Sequence, residues 1–130
     1  MKLIDANLII RFLLKDHPIQ SPAAKQLLKN FQENLLLTDV TVAEVIWLLT
    51  SYYKFSKEEA MESLYPILNL PNIDSNKSIL IRALYFYRNF NIDYIDAYFA
   101  AYTEEKKLEG IYSFDKDLDK IKEVKRFEPK

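Results

Sequence analysis

Asp5, Glu44, Asp96 and Asp115 are the side chains of this sequence whose type and placement suit chemistry. Asp5 ends a short apolar run that starts at Lys2. Glu44 lies in the apolar stretch around Val42 to Leu49, Asp96 near the start of Tyr94-Ile95-Asp96-Ala97-Tyr98-Phe99-Ala100-Ala101, and Asp115 directly after Ile111-Tyr112-Ser113-Phe114. Carboxylates gathered in a small, partly dry pocket repel one another and titrate late unless a cation compensates them. Magnesium and manganese are the natural partners, because they take oxygen ligands and keep waters that bridge to a phosphate. Such ions activate water, neutralise phosphate and stabilise a leaving oxygen, with about 3.5 to 4 Å between them where two are bound. This chemistry needs no histidine base. The single histidine, His17, precedes a proline in a connector and reads as a surface residue.

Acids so far apart in sequence meet only if the fold delivers them to one edge, and an open parallel sheet does so beyond the carboxyl ends of its strands. The hydropathy pattern supplies those strands. Lys2 to Asp5 is the first, followed by a helix that Asn7 can cap and that runs to about Lys15. Ser21-Pro22 opens a second helix, continuing to about Asn30. Leu35 to Thr38 is a second buried strand. The helix after it, with Val42, Val45, Ile46, Trp47, Leu48 and Leu49, is apolar around most of its circumference and is expected deep in the fold. Ser56 and Glu59 form a capping box for a helix reaching Leu68 despite Pro66. Leu70 to Asp74 is a connector with a short extended piece. Ser75 to Phe90 and Tyr94 to Lys107 read as two helices, and Gly110 to Phe114 and Val124 to Phe127 as the last strands. This order predicts an α/β fold, with a mostly parallel central sheet and helices on both faces.

Composition narrows the chemistry. The 130 residues, 49% hydrophobic, fit one domain spanning 1–130, and no composition break suggests a second. No segment approaches 18 uncharged apolar residues, so no membrane span is expected. Asp5 and Arg11 interrupt the apolar start, which does not read as a secretion signal, and a cytoplasmic protein is the default expectation. The absence of cysteine excludes disulfides, thiolate metal sites and cysteine nucleophiles. With Gly110 as the only glycine there is neither a dinucleotide-binding loop nor a P-loop. A nucleophile elbow and a serine-histidine-acid spacing are also absent. The net charge of -1 is inconsistent with a duplex binder acting through a broad basic surface, yet compatible with a metal-dependent nuclease, whose acids offset basic groups elsewhere.

Each acid has a structural explanation beside the chemical one. Asp5 can cap the helix that follows it. Thr41 and Glu44 can form a capping box, a role that disappears if the cap lies at Asp39. Asp96 can be a first-turn acid favoured by the helix dipole, and Asp93 can cap the helix that starts at Tyr94. Asp115, Asp117 and Asp119 superficially resemble a calcium loop, but Lys120 stands where glycine is required and Arg126 at position twelve. Asp115 is the metal-facing candidate of the three and Asp117 the secondary one. The Ser113 hydroxyl can orient water or bond the local backbone. Asn7 can support Asp5, and Arg11 can contact substrate phosphate or form an ion pair.

Taken in order, Leu3-Ile4-Asp5-Ala6-Asn7-Leu8-Ile9, Asp39-Val40-Thr41-Val42-Ala43-Glu44-Val45, Asp93-Tyr94-Ile95-Asp96-Ala97 with Ala100-Ala101, and Ser113-Phe114-Asp115-Lys116-Asp117 resemble the successive motifs of PIN-domain ribonucleases. Within that family the sequence is most similar to the VapC-type toxins of toxin-antitoxin pairs. The resemblance implies a compact three-layer α/β/α domain and makes Asp5, Glu44, Asp96 and Asp115 the catalytic, metal-binding set. Asn7 and Ser113 match supporting positions, and Asp93 a frequent additional acid. The implied activity is endonucleolytic hydrolysis of RNA with one or two Mg2+ or Mn2+ ions, and the implied partners are an antitoxin and a second copy of the chain. Leu118 stands where many relatives have an aromatic residue.

Around this centre, Lys15, Lys25, Lys29, Lys54 and Lys57 are candidates to rim an RNA cleft. Trp47, Tyr52 and Tyr53 are candidates to line an antitoxin groove. Tyrosines of the late helices suit a homodimer surface. A cleavage-deficient scaffold binding RNA or protein is the alternative reading, and a DNA-directed nuclease a weaker one.

Overall fold

A computed structural model describes all 130 residues, and the backbone packs as two units, Met1–Asn76 and Lys77–Lys130. In the first unit β1 (Lys2–Leu3), β2 (Leu35–Leu36) and β3 (Ile73–Asp74) form a parallel sheet in the order β1-β2-β3. Lys2 pairs with Leu35 and Leu35 with Ile73. Parallel neighbours need long crossovers, and each here is helical. Helices α1 (Ala6–Leu14) and α2 (Gln20–Lys29) join β1 to β2, and α3 (Asp39–Trp47) and α4 (Lys57–Leu68) join β2 to β3. β3 is the extended piece expected inside the connector. β1 and β2 are shorter than the apolar runs that announce them, because only two residues of each enter the ladder.

The helix starts show which capping signals operate. The Ser56–Glu59 box forms as expected, with reciprocal bonds of 3.0 and 3.1 Å. Of the two cap candidates for α1, Asp5 operates and Asn7 does not: Asp5 Oδ1 accepts from the Leu8 amide at 3.0 Å, so Asn7 lies inside the first turn. The next cap differs from the sequence expectation. α2 starts at Gln20, before Ser21-Pro22. The His17 imidazole takes the capping role there, Nδ1 accepting from the Ile19 and Gln20 amides at 3.2 and 2.9 Å.

The core of this unit gathers Ile4, Ile9, Ile10, Leu28, Leu35, Leu37, Val45, Leu49 and Leu64. α3 departs from the expectation of deep burial. Val42, Val45 and Ile46 are inside, but Val40 and Trp47 are 76% and 61% exposed. They bracket Glu44 at i−4 and i+3, so one apolar stripe of α3 faces solvent with Glu44 in its middle. α3 then widens into a π turn over Leu48–Tyr52, closed by the Tyr53 amide on the Leu48 carbonyl at 3.0 Å.

Asn72 ties β3 to the end of α2. Its buried amide nitrogen faces the carbonyls of Leu28, Asn30 and Glu33 at 3.2 to 3.3 Å, while its backbone carbonyl accepts from the Leu35 amide in β2 at 2.9 Å. Asn72→Ala leaves buried acceptors without a donor and is expected to lower the unfolding free energy by about 2 kcal/mol. Urea denaturation checks this through a lower midpoint at unchanged slope.

The second unit contains α5 (Lys77–Asn89), α6 (Tyr94–Glu105), β4 (Ile111–Tyr112), a 3₁₀ turn (Lys116–Lys120) and β5 (Arg126–Phe127). α5 and α6 run antiparallel, since the start of α5 meets the end of α6. Ser78 donates to Glu105 at 3.0 Å, and Arg82 grips Glu104 at 2.7 and 3.1 Å. Ala83, Ala97, Ala100 and Ala101 are fully buried, and their small side chains let the helices approach closely. The late aromatics divide between core and surface. Phe86, Tyr87 and Tyr94 are inside, whereas Tyr85, Phe99 and Tyr102 are exposed. β4 and β5 pair in parallel, Ile111 with Arg126 and Tyr112 with Phe127. Gly110 permits this approach, because a Cβ there would collide with the Lys125 carbonyl.

Candidate metal centre

In the Lys77–Lys130 unit the chain folds three acids together. Asp96 sits in the first turn of α6 and is half-buried. Asp115 and Asp117 stand at the start of the 3₁₀ turn that follows β4. One carboxylate oxygen from each of the three lies within 4.8 Å of the others. Local bonds shape the turn. The Ser113 hydroxyl accepts from the Asp115 amide at 2.9 Å, and Asp115 Oδ1 accepts from the Asp117 amide at 2.9 Å. Ser113 therefore acts on the backbone, in the second of the two roles its position allows.

The electrostatics of the cluster register excess negative charge. Burial pushes the Asp96 carboxyl up to about 6, with further contributions from the Asp115 charge, a hydrogen bond to Asp115, and the charges of Asp93 and Asp117. Asp93 occupies the N-cap position of α6 without making a side-chain cap bond. Capping therefore does not explain it, and its charge acts on Asp96 and also raises the buried Tyr87 hydroxyl after desolvation. Lys120 contacts Asp117 at 3.1 Å and the Asn91 carbonyl at 2.9 Å. Asp119, the third acid of the Asp-x-Asp-x-Asp run, is bound by Arg126 at 2.9 Å. An all-oxygen donor set with a destabilised ionised carboxylate fits a hard divalent cation, which would favour the charged form.

The other sequence candidates lie in the Met1–Asn76 unit. Asp5 is exposed at the start of α1; its Oδ1 caps the helix, and a carboxylate has further lone pairs for a second partner. Glu44 is exposed, and its carboxylate makes no hydrogen bond or ion pair. The cap of α3 is Thr38, whose Oγ1 accepts from the Thr41 amide at 3.2 Å. Glu44 is thus in the second turn, and the Thr41–Glu44 capping box does not form. No hydrogen bond joins Asn7 to Asp5. Arg11 is occupied by Asp16 at 2.7 Å and the Tyr53 hydroxyl at 3.0 Å, the ion-pair role among its two alternatives. Lys15, Lys25 and Lys29 line one cavity of about 800 Å³ beside His17. Trp47 and Tyr52 are exposed, whereas Tyr53 faces Arg11.

Asp117 stands closer to the centre than its secondary rank in the sequence suggests. The signal was the i, i+2 spacing of Asp115 and Asp117, and the 3₁₀ turn that brings both to Asp96 is set by tertiary anchors at Leu118 and Ile121. No helix is long and apolar enough to cross a membrane.

A search of the curated proteins finds no match to the chain. The family model for the PIN domain, however, matches residues 2–124, nearly the whole sequence and all four acidic motifs. PIN domains are usually nucleases and generally depend on divalent metal ions. Parallel strands, helical crossovers and carboxylates placed beyond β1 and β4 agree with that match: the chain belongs to the PIN-domain family.

Proposed function

We propose that this chain is a metal-dependent endoribonuclease that hydrolyses RNA phosphodiester bonds, acting as the toxin of a type II toxin-antitoxin pair. The observation that carries the reading is the cluster of Asp96, Asp115 and Asp117 in a PIN-domain chain, with the Asp96 carboxyl at about 6. Asp96 and Asp115 hold Mg2+ or Mn2+, assisted by Asp117, while Asp93 adds negative potential. Asp5 and Glu44 are proposed as further ligands, on the order of the motifs and on their exposed carboxylates. When bound, the cation supplies Lewis-acid stabilisation of phosphate charge and an activated water. The chain's own residues bind and orient. The Asp115 carboxylate is held by the Asp117 amide, and that bond keeps it aimed beside Asp96. Near neutral pH Asp96 is largely ionised and able to ligate.

Single-stranded loops suit this site better than a regular A-form helix, whose bases are hard to reach. The exposed Val40 and Trp47 stripe with Tyr52 supports docking of an antitoxin segment, and the exposed Phe99 and Tyr102 of α6 support a homodimer surface. The two units act as one nuclease domain in a cytoplasmic protein.

Purified protein is expected to cleave labelled single-stranded RNA internally with Mn2+ or Mg2+ and to stop on addition of a chelator. DNA cleaved in preference to RNA would move the assignment to a DNA-directed nuclease. Metal-independent cleavage would remove the mechanism. Divalent-cation binding without cleavage of any RNA or DNA would favour the binding scaffold.

A further inference from the structure

We propose that Arg126 is a positioning residue for the acidic centre, holding both ends of the loop that carries Asp115 and Asp117; this rests on the reading of those acids as cation ligands. The Arg126 side chain is only 12% exposed. Its Nη1 donates to the Ser113 carbonyl at 2.9 Å, directly after β4. Its Nε and Nη2 grip the Asp119 carboxylate at 2.9 and 3.2 Å. Asp115 and Asp117 lie between those anchor points in the chain. The remaining polar bonds of the loop are local or act at one end. The Ser113 hydroxyl and Asp115 carboxylate shape the turn, and the Ser113 amide joins the Phe127 carbonyl at 2.9 Å. Leu118 and Ile121 anchor the turn in the core, and Lys120 ties Asp117 to the Asn91 carbonyl. The guanidinium joins the entry of the loop to its far side and so fixes the span across which Asp115 and Asp117 present their oxygens.

The chemistry of the clamp requires arginine. A planar fork makes two parallel bonds to a carboxylate and still directs a donor to a carbonyl, whereas a lysine ammonium is a point donor on a flexible stem. Arg126 also engages Asp119 and Glu128, which keeps those two acids away from the metal-facing role of their neighbours.

Mn2+ binding to the full chain, measured by calorimetry and by the electron paramagnetic resonance of free Mn2+, tests the proposal without reference to activity. Arg126→Lys and Asp119→Asn are each expected to bind Mn2+ about tenfold more weakly or worse, the usual loss when a residue that orients metal ligands is removed. Asp119 is exposed, so its substitution preserves folding if Arg126→Lys does not. Asn72→Ala serves as a destabilised control and is expected to bind as the unsubstituted chain does. Unchanged affinity in folded Arg126→Lys and Asp119→Asn, with Asp96→Asn weakened, would overturn the clamp and leave the cation site standing. Equal weakening in Asn72→Ala would overturn it as well, since general loosening would then suffice. Unchanged affinity in Asp96→Asn would overturn the cation site itself, and the clamp with it.

Discussion

Asp96→Asn is expected to lower RNA cleavage by about a hundredfold or more while raising the melting temperature of the chain at pH 8 in the presence of chelator. The two effects have one cause. Asp96 is the acid of the cluster whose ionisation is hardest, through burial first and then the charge of Asp115. An ionised carboxylate in that position opposes folding until a cation arrives, and the amide removes this opposition with nearly the same shape. The amide also removes the charge that would bind the cation, and a metal ion contributes several kcal/mol of stabilisation in phosphoryl chemistry, where about 1.4 kcal/mol is a factor of ten in rate. A site that trades stability for activity behaves this way. Initial cleavage rates with Mn2+ and thermal melts at pH 5 and pH 8 supply the test. The gain in melting temperature should be present at pH 8 and shrink at pH 5, where both carboxyl and amide are neutral. Wild-type cleavage by a folded Asp96→Asn chain would remove Asp96 from the site, and an equal or lower melting temperature at pH 8 would remove the electrostatic account.

The alternation of strands and helices was legible because hydropathy changes period wherever an element ends. That placed four of the five strands and all six helices, and located the fifth strand inside a connector. What hydropathy did not give was the capping register. His17 is not a usual cap residue, so its bonds to the Ile19 and Gln20 amides are visible only once α1 and α2 are placed. For α3 the difference between Thr38, Asp39 and Thr41 as cap is one or three residues, yet it decides whether Glu44 is used by the backbone or free. The observed cap at Thr38 leaves it free.

The site shows the same division. Asp115 was recognisable as an acid at the end of an apolar run and Asp96 as one near the start of a helix, and the structure puts their oxygens together with that of Asp117. From the sequence Asp115 ranks first and Asp117 second, but what draws Asp119 away was not readable, because it depends on Arg126 reaching back from β5. The Trp47 side of α3 gave the opposite error: an all-round apolar helix suggested burial, while the fold covers one face and leaves Val40 and Trp47 in solvent. Exposed apolar area of this kind is a common mark of a partner surface, which is why the antitoxin proposal is placed there.

The wild-type chain should become more dependent on divalent cation as the pH rises from 5 to 8, and the direction follows from linkage. Asp96 titrates at about 6 in the folded chain against 3.8 for an ordinary aspartate. Between those values the folded state holds more protons than the unfolded one, so without cation stability falls as pH rises through this window, and the loss is complete above about 6. Cation binding requires the ionised carboxylate and acts in the opposite sense. Mn2+ at about a hundred times its dissociation constant contributes roughly 2.7 kcal/mol at pH 7.5, reduced to about half of that at pH 5, where protons compete for the ligand. Melts with Mn2+ and with chelator across this range check both slopes. The chelator curve should decline from pH 5 and level off above about 6, and the gap between the curves should roughly double from pH 5 to pH 8. The same gap at pH 5 and pH 8 would mean that the stabilising ion binds without Asp96. In Asp96→Asn the chelator curve should lose its decline between pH 5 and 6, so that the variant also tests whether this one carboxyl carries the pH dependence.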